Sequence, residues 1–556
     1  MSKARISFAV GCVCLSLLLM GGMASAAPNV LTHPIVGQVI HFDVSPPLRD
    51  LVKMAPNLPQ YGLHLASPAL RPKMQNMNQS EKLGYANVHD AALQNAVMNP
   101  LLPTVGVNVL GVGVGFFGYQ VPDAPTDVNL AVGDTQVVQW VNVSFAVFDK
   151  ATGNNILFNG QHSVLGSQLW AGFNGQCANS NSGDIIAQWD KVAHRWVLMQ
   201  PRFSPPYRDC FAISMTPDAT GSYFRFEFAT PNPNVDFPDY PKLGIWRDGY
   251  YIAHNDFPNL QSYAGVMACA YERAKLLVGD NSAKQICFID NSNGTLFDDS
   301  MLPADIDSPE ALPPVGMPEI FVGSIDNFPN GDSHVYEYLF HADFVNPNNS
   351  TFTGVNGAMP INVTAYRNAP GTAPEPGGSV IDTLSDRLMY RFAYRRTPFA
   401  ANGHASYLVN HAVVAGNSIG ERWYEFRAPN PNSTALAVFQ QGTYAPDATA
   451  RFMGSLAMDK QGNIAMGYTT SSSTIFPTIS YTGRVPGDPL GTMESEGTIF
   501  AGTGSQTDTV NRWGDYTSMA IDNDGCTFWY TNQYYVQTGS FSWSTRVASL
   551  KFPGCN

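Results

Sequence analysis

The chain has 556 residues, of which 13% are charged and 12% aromatic, with 49 Gly and 40 Pro, a turn-rich and strand-forming composition. The formal charge of −13 and an isoelectric point near 5.2 argue against nucleic acid or an anionic membrane surface as partner, because both attract basic proteins.

Lys3 and Arg5 precede an apolar run from Ile6 to Met20, and Ala24, Ser25 and Ala26 then offer small residues before Ala27 and Pro28. This is the three-part layout of a secretory signal peptide, so residues 1–26 are set apart from the fold, with cleavage expected after Ala26. The apolar core is too short to span a bilayer and no later stretch reaches that length, so no membrane span is expected. Residues 27–103, rich in Pro, Asn and Met, read as an N-terminal extension lying on the folded part and partly mobile. The run 104–117 is apolar, β-branched and glycine-spaced, which reads as a strand.

From about Asp127 onward, short β-rich runs alternate with Gly, Asn, Asp and Pro, with almost no helical periodicity. Two segments, Arg451 to Thr469 and Arg512 to Thr531, align closely as strand, Gly-containing turn and second strand. Weaker copies occur at Tyr240 to His254 and at Asp184 to Asp190 followed by Arg195 to Gln200. With Asp127 to Val141, Pro318 to Ile325 and Arg387 to Tyr394, they give first strands starting near 128, 184, 242, 318, 387, 454 and 517. A period of about sixty residues suits four strands per unit, and such units must pack against each other to bury both faces. The expected fold is therefore all-β: a single β-propeller of about seven four-stranded blades over residues 104–556. Two successive β-sandwiches would also give short strands but do not predict one recurring hairpin. The last unit supplies only three strands, Tyr516 to Asp522, Cys526 to Gln533 and Ser542 to Phe552. The strand at 104–117 is expected to add the fourth, closing the ring and removing an exposed edge.

Cys12 and Cys14 leave with the signal, so six cysteines remain, an even number without the close spacing of a zinc site. In an oxidising compartment they read as disulfides, and the strand map favours pairing in sequence order: Cys177 with Cys210, Cys269 with Cys287 and Cys526 with Cys555. Six cysteines permit about fifteen connectivities.

At Ala124 to Gly133, Asp184 to Trp189, Asp239 to Tyr251, Asp386 to Arg391 and Asn511 to Tyr516, the chain resembles a group of largely uncharacterised exported bacterial proteins with sialidase-like propellers. The resemblance covers most of the chain after about residue 120 and implies a fold and a secreted or periplasmic address, but no reaction. Asp522 to Trp529 also resembles a degenerate sialidase Asp-box, a structural turn that would not locate catalysis.

In a propeller, the start of each innermost strand lies at one mouth of the central channel, together with the loop between the second and third strands. This mouth is expected to collect Asp127, Asp184, Asp239, Lys242, Arg387, Arg451, Arg512 and Asp515, with His254, Asn255 and Asp256 entering from a loop. Arg387, Arg451 and Arg512, before three successive inner strands, would suit a carboxylate through their planar bidentate donors. Equally, inner-strand Arg and Asp form ion-pair networks that hold blades together. Trp140, Trp189, Trp246 and Trp529 read as inter-blade core before they read as a sugar platform.

Other motifs carry little. Gly416-Asn-Ser418-Ile-Gly420 matches a nucleophile elbow but lies between β-runs. His404 and His411 fall on opposite faces of one strand, which opposes joint metal binding. The Asp522-Asn-Asp524-Gly turn lacks the continuation of a calcium loop. No cofactor and no metal are expected. The leading expectation is a secreted, monomeric propeller that binds an extracellular glycan or small anionic, carboxylate-bearing ligand at the mouth. A glycoside hydrolase or lyase using the same mouth, with paired carboxylates, and a scaffold for protein partners are the alternatives.

Overall fold

The computed structural model describes residues 30–54, 89–98, 101–121, 124–157, 163–261, 263–291, 300–325, 331–354, 357–396 and 404–556; the expected signal peptide lies outside them. The chain is all-β, with antiparallel units following one another along the sequence.

The first unit is formed by Asn129–Val132, Gln136–Val141, Ser144–Asp149 and Val164–Leu165. The second runs through Ile186–Asp190, Arg195–Arg202, Arg208–Ser214 and Tyr223–Ala229, and the third through Asp236–Ile245, Gly249–Pro258, Gly265–Glu272 and Lys284–Asp290. The fourth and fifth share one extended sheet, because Leu302–Ile306 pairs in parallel with Met389–Arg396. In the fifth, Met389–Arg396 leads into Ala405–Ala415, Ser418–Arg427 and Ala437–Tyr444. Ala450–Met458, Ile464–Ser472, Ile475–Arg484 and Gly497–Phe500 form the sixth, and Ser518–Ile521, Thr527–Tyr535 and Trp543–Lys551 supply the last.

Strands such as Gln136–Val141 are buried along their whole length, so both faces of the sheet are covered. Stacked neighbours do the covering: Trp140, Trp189, Trp246 and Trp529 are all core residues, as their recurrence suggested. The first strands also touch each other in chain order, and Ser518–Ile521 touches Asn129–Val132 in turn.

Two expectations need correction. The fourth unit does not begin near 318: its first strand is Leu302–Ile306, and Glu319–Gly323 is its second. The first strand contains Pro303 and pairs with its own hairpin partner only through Leu302 and Pro303, turning to Met389–Arg396 for the rest, so it carries no hairpin signature. Nor does the described part of the N-terminal extension merely lie on the surface. Val30–Leu31, Ile35–Gln38 and His41–Val44 pair with Thr351–Thr353, Lys284–Asp290 and Tyr223–Ala229, adding outer strands to three consecutive units. Leu93–Gln94 pairs in parallel with Ala437–Tyr444, and buried Asp90 receives Arg422 Nη2 and, at 2.6 Å, Thr443 Oγ1. Thr104–Leu110 pairs antiparallel with Trp543–Lys551.

The three disulfides are Cys177–Cys210, Cys269–Cys287 and Cys526–Cys555, the pairing in sequence order. They fit an extracellular or periplasmic protein. Among the described residues, no helix is long and apolar enough to cross a membrane.

Candidate functional site

The entry to the first strands has a repeated backbone device. Asp127 (φ 47°), Asp184 (φ 53°), Tyr240 (φ 55°), Ser300 (φ 63°), Met453 (φ 58°) and Asp515 (φ 61°) are all left-handed although none is glycine. Three lie just ahead of a first strand, Asp515 slightly further, and Tyr240 and Met453 sit where the strand register shifts. Asp tolerates this conformation better than most residues, whereas Tyr and Met do not, and such residues persist only where the surroundings over-determine them. The bends gather the strand starts.

What they gather is a network of six carboxyls, Asp127, Asp184, Asp239, Asp382, Asp386 and Asp515, and three cations, Lys242, Arg387 and Arg512, all buried except the partly exposed Asp184. Arg387 grips both oxygens of Asp386 at 2.8 and 3.0 Å and donates to Ser300 Oγ at 2.9 Å. Arg512 pairs with Asp515 and lies 3.9 Å from Asp382. Lys242 Nζ stands 3.3 Å from the Tyr240 ring centre and 4.0 Å from that of Tyr516, while Tyr240 Oη donates to the Asp515 carbonyl at 2.8 Å. Asp184 accepts the Tyr240 backbone N–H at 3.0 Å.

Burial, and then the charges of Asp184 and Asp515, push the Asp127 carboxyl well above the usual carboxylate range. Burial likewise raises Asp239, with Asp184 adding to it, and lifts Asp382 to about 7 against the pull of Arg512. Burial lowers Lys242 to about 8, and Asp184 and Asp127 keep it from falling further. The cluster therefore mixes protonated carboxyls, which donate, with ionised ones, which accept. Asp127 Oδ1, Asp382 Oδ2, Asp515 Oδ1 and Tyr516 Oη are buried without a hydrogen-bond partner among the described residues.

The structure thus brings together Asp127, Asp184, Asp239, Lys242, Arg387, Arg512 and Asp515, and leaves Arg451 and His254 out. Arg451 spends its donors on Glu496, Asp447 and the Thr449 carbonyl, so the three-guanidinium device is not assembled. His254, Asn255 and Asp256 belong to the strand Gly249–Pro258 and not to a loop, because this hairpin continues past the expected turn. His254 Nε2 lies 3.2 Å from buried Asp209, whereas Asn255 Oδ1 accepts the Ser300 N–H at 2.7 Å, one step from Arg387. Burial, with Asp236 adding to it, raises Asp256 to about 7.

Sequence reasoning missed Asp382, Asp386, Tyr240, Tyr390 and Tyr516, although Asp382 and Asp386 flank the predicted strand start at Arg387. It also missed a second buried network, in which Arg391 binds Asp305 at 2.7 Å, Asp307 at 2.8 Å and the Met519 carbonyl at 2.9 Å, and Lys191 reaches Asp307 at 3.1 Å. Gln188 links this network to Tyr390 Oη at 2.6 Å beside a cavity of about 10 Å³ lined by Lys191, Asp305 and Arg391.

The weaker motifs resolve as structure. Gly416 (φ 60°) and Asn417 make the tight turn between Ala405–Ala415 and Ser418–Arg427, and Ser418 Oγ donates to the Ala448 carbonyl. His411 is buried against Tyr424 Oη, and burial lowers its pKa to about 3. Asp524 accepts the Cys526 and Thr527 N–H groups in the last hairpin.

No known protein family and no curated protein matches the sequence. Similar solved structures include the WD40 domain of SCAP from fission yeast, at 9% identity over 76% of this chain and 80% of that one, with a TM-score of 0.34. A subtype N10 neuraminidase-like protein of A/little yellow-shouldered bat/Guatemala/060/2010 is similar at 8% identity over 64% and 93%, with a TM-score of 0.31. Drosophila Plexin A, solved in complex with Semaphorin 1b, is similar at 6% identity over 82% and 88%, with a TM-score of 0.35. The likeness is to propeller-type structures at low TM-score, and nothing about ligand or reaction is drawn from it.

Proposed function

We propose that this chain is an exported, seven-bladed β-propeller, closed by the strand Thr104–Leu110, that binds a neutral, hydroxyl-rich extracellular ligand of the glycan class where its inner strands begin. Export rests on the N-terminal layout at Lys3 to Ala26 and on the three disulfides. The blade count rests on the seven first strands touching in sequence, last to first. The ring holds one copy of the chain.

The observation that carries the ligand reading is the composition of the strand-start network, six carboxyls to three cations, with buried acceptors left over on Asp127, Asp382 and Asp515. A sugar presents hydroxyls that both donate and accept, which matches a mixture of protonated and ionised carboxyls. A carboxylate-bearing ligand fits this place poorly, because Arg387 and Arg512 are already neutralised and the surplus is acidic.

A glycan array probed with the mature chain, followed by calorimetry on the best hit, tests this. Asp184, the partly exposed member, contacts ligand first; Asp184→Asn weakens binding about tenfold while leaving the fold intact. An array without hits, or an Asp184→Asn protein that binds like the wild type, overturns the reading. Intact mass of the exported protein, starting at Ala27, checks the address.

A further inference from the structure

Away from the strand-start network, a pocket of about 520 Å³ opens between the fifth and sixth units, within the size range of small-molecule sites. It lies at the other end of the strands: in the sixth unit its lining comes from the end of Ala450–Met458 and the turn at Lys460 to Gly462. The wall is apolar and aromatic on one side, where Phe439 and Leu490 are exposed, and cationic on the other.

The charges there are unevenly spent. Glu425 is the one carboxylate among the described lining residues, and its neighbours saturate it: Ser406 Oγ and Arg427 Nε donate to one oxygen at 2.6 Å each, and Gln440 Nε2 to the other at 2.6 Å. Arg427 lies flat over the Phe439 ring at 3.2 Å from its centre. Arg484, nearly inaccessible, gives Nε and Nη2 to the carbonyls of Thr492, Asp488 and Pro489 and forms no ion pair among the described residues. Lys460 reaches the Asp524 carbonyl at 3.1 Å and likewise has no carboxylate partner among the described residues. Asp488, outside the lining, accepts the Val485 N–H at 2.8 Å, and burial, with the charge of Asp488 adding to it, raises Glu494 to about 8. His404 stays neutral, because burial and then Arg427 lower its pKa. Arg484 and Lys460 therefore stand without a salt-bridge partner among the described residues beside an exposed aromatic ring, with Asp488 and Glu425 acting on Arg484 only from a distance.

The geometry points to a second, anion-accepting site: this pocket binds a small organic acid in which one carboxylate is carried on a ring, the carboxylate meeting Lys460 and Arg484 and the ring lying against Phe439 and Leu490. An unpaired cation in a concave, partly apolar wall gains more from a carboxylate than an exposed lysine does, because water screens the pair less. The ring face gains the apolar contact that a bare inorganic anion lacks. The site is independent of the strand-start network and shares no residue with it.

Calorimetric titration of the mature chain with two acids and their neutral counterparts tests the inference. Digalacturonate against galactobiose represents an acidic sugar; phenylacetate against 2-phenylethanol represents an aromatic acid. At least one acid binds about tenfold more tightly than its counterpart, and the better of the two identifies the ring type. Arg484→Gln removes loop contacts as well as charge, so the deciding variants are Lys460→Gln and Phe439→Ala, each with an unchanged melting temperature. Each weakens the acid about tenfold, whereas Asp184→Asn leaves it unchanged. The inference is overturned if neither acid binds at millimolar concentration, if the neutral counterparts bind equally well, or if both deciding variants bind like the wild type.

Discussion

Replacing Arg512 by Met removes the cation that Asp515 and Asp382 share while keeping a long apolar stem in the same space. Both carboxyls are buried and cannot return to water. Breaking such a pair leaves an uncompensated charge, at a cost of about 3–5 kcal/mol. The cost depends on pH in a direction the network fixes. Burial raises Asp382 from 3.8 to about 7, with Arg512 opposing the rise, and Asp127 and Asp239 are also pushed well up. An acid raised in the folded state contributes fully below its unfolded value and loses that contribution as pH rises through its folded value. At pH 8, Asp382 is ionised and the missing guanidinium is felt in full. At pH 5 it is protonated and only Asp515 loses its counter-charge, so the loss falls to about half, roughly 2 kcal/mol. Urea unfolding of wild type and Arg512→Met at the two pH values measures both numbers. Equal losses at pH 5 and pH 8, or a loss under about 1 kcal/mol at pH 8, would refute the reasoning. Arg451→Met is the contrast: Asp447 and Glu496 are 60% and 25% exposed, so they rehydrate and the loss carries little pH dependence.

Glu421 is buried, raised to about 7 by that burial, and holds Asn410 Nδ2 at 2.9 Å, so Glu421→Gln matches wild type near pH 5 and is more stable by about 2–3 kcal/mol at pH 8.5 in thermal or urea unfolding. A pH-independent difference contradicts this. Removing the Cys526–Cys555 bridge, which spans 29 residues, by the double Ala variant costs about 3–4 kcal/mol from loop entropy, read as a lower melting temperature; a variant that melts with the wild type contradicts this. Deleting residues 27–98, which strips added strands from four units, lowers the melting temperature, and extending the deletion through residue 110 bares the edge of Trp543–Lys551 and brings aggregation visible by light scattering. A truncation to residue 110 that melts with wild type contradicts the pairing.

Local pattern alone determined a good deal of this protein. The recurring hairpin at Arg451 to Thr469 and Arg512 to Thr531 was legible because strand periodicity and turn glycines are short-range signals. The cysteine pairs followed because antiparallel neighbours in sequence are neighbours in space, and the unassigned run at 104–117 could be matched to a unit short of one strand. Tertiary structure decided the rest. Leu302–Ile306 is proline-marked and meets its own hairpin partner through only two residues, and its partners lie in two different hairpins. The strands at 30–44 pair with residues roughly 180 to 320 positions away, a register no local signal encodes. The same holds for charge. Arg387, Arg451 and Arg512 occupy like positions in sequence, yet two meet carboxyls gathered by left-handed bends and the third turns to Asp447 and Glu496. A guanidinium goes to whichever buried carboxylate lies within reach, and that is set by how neighbouring sheets stack.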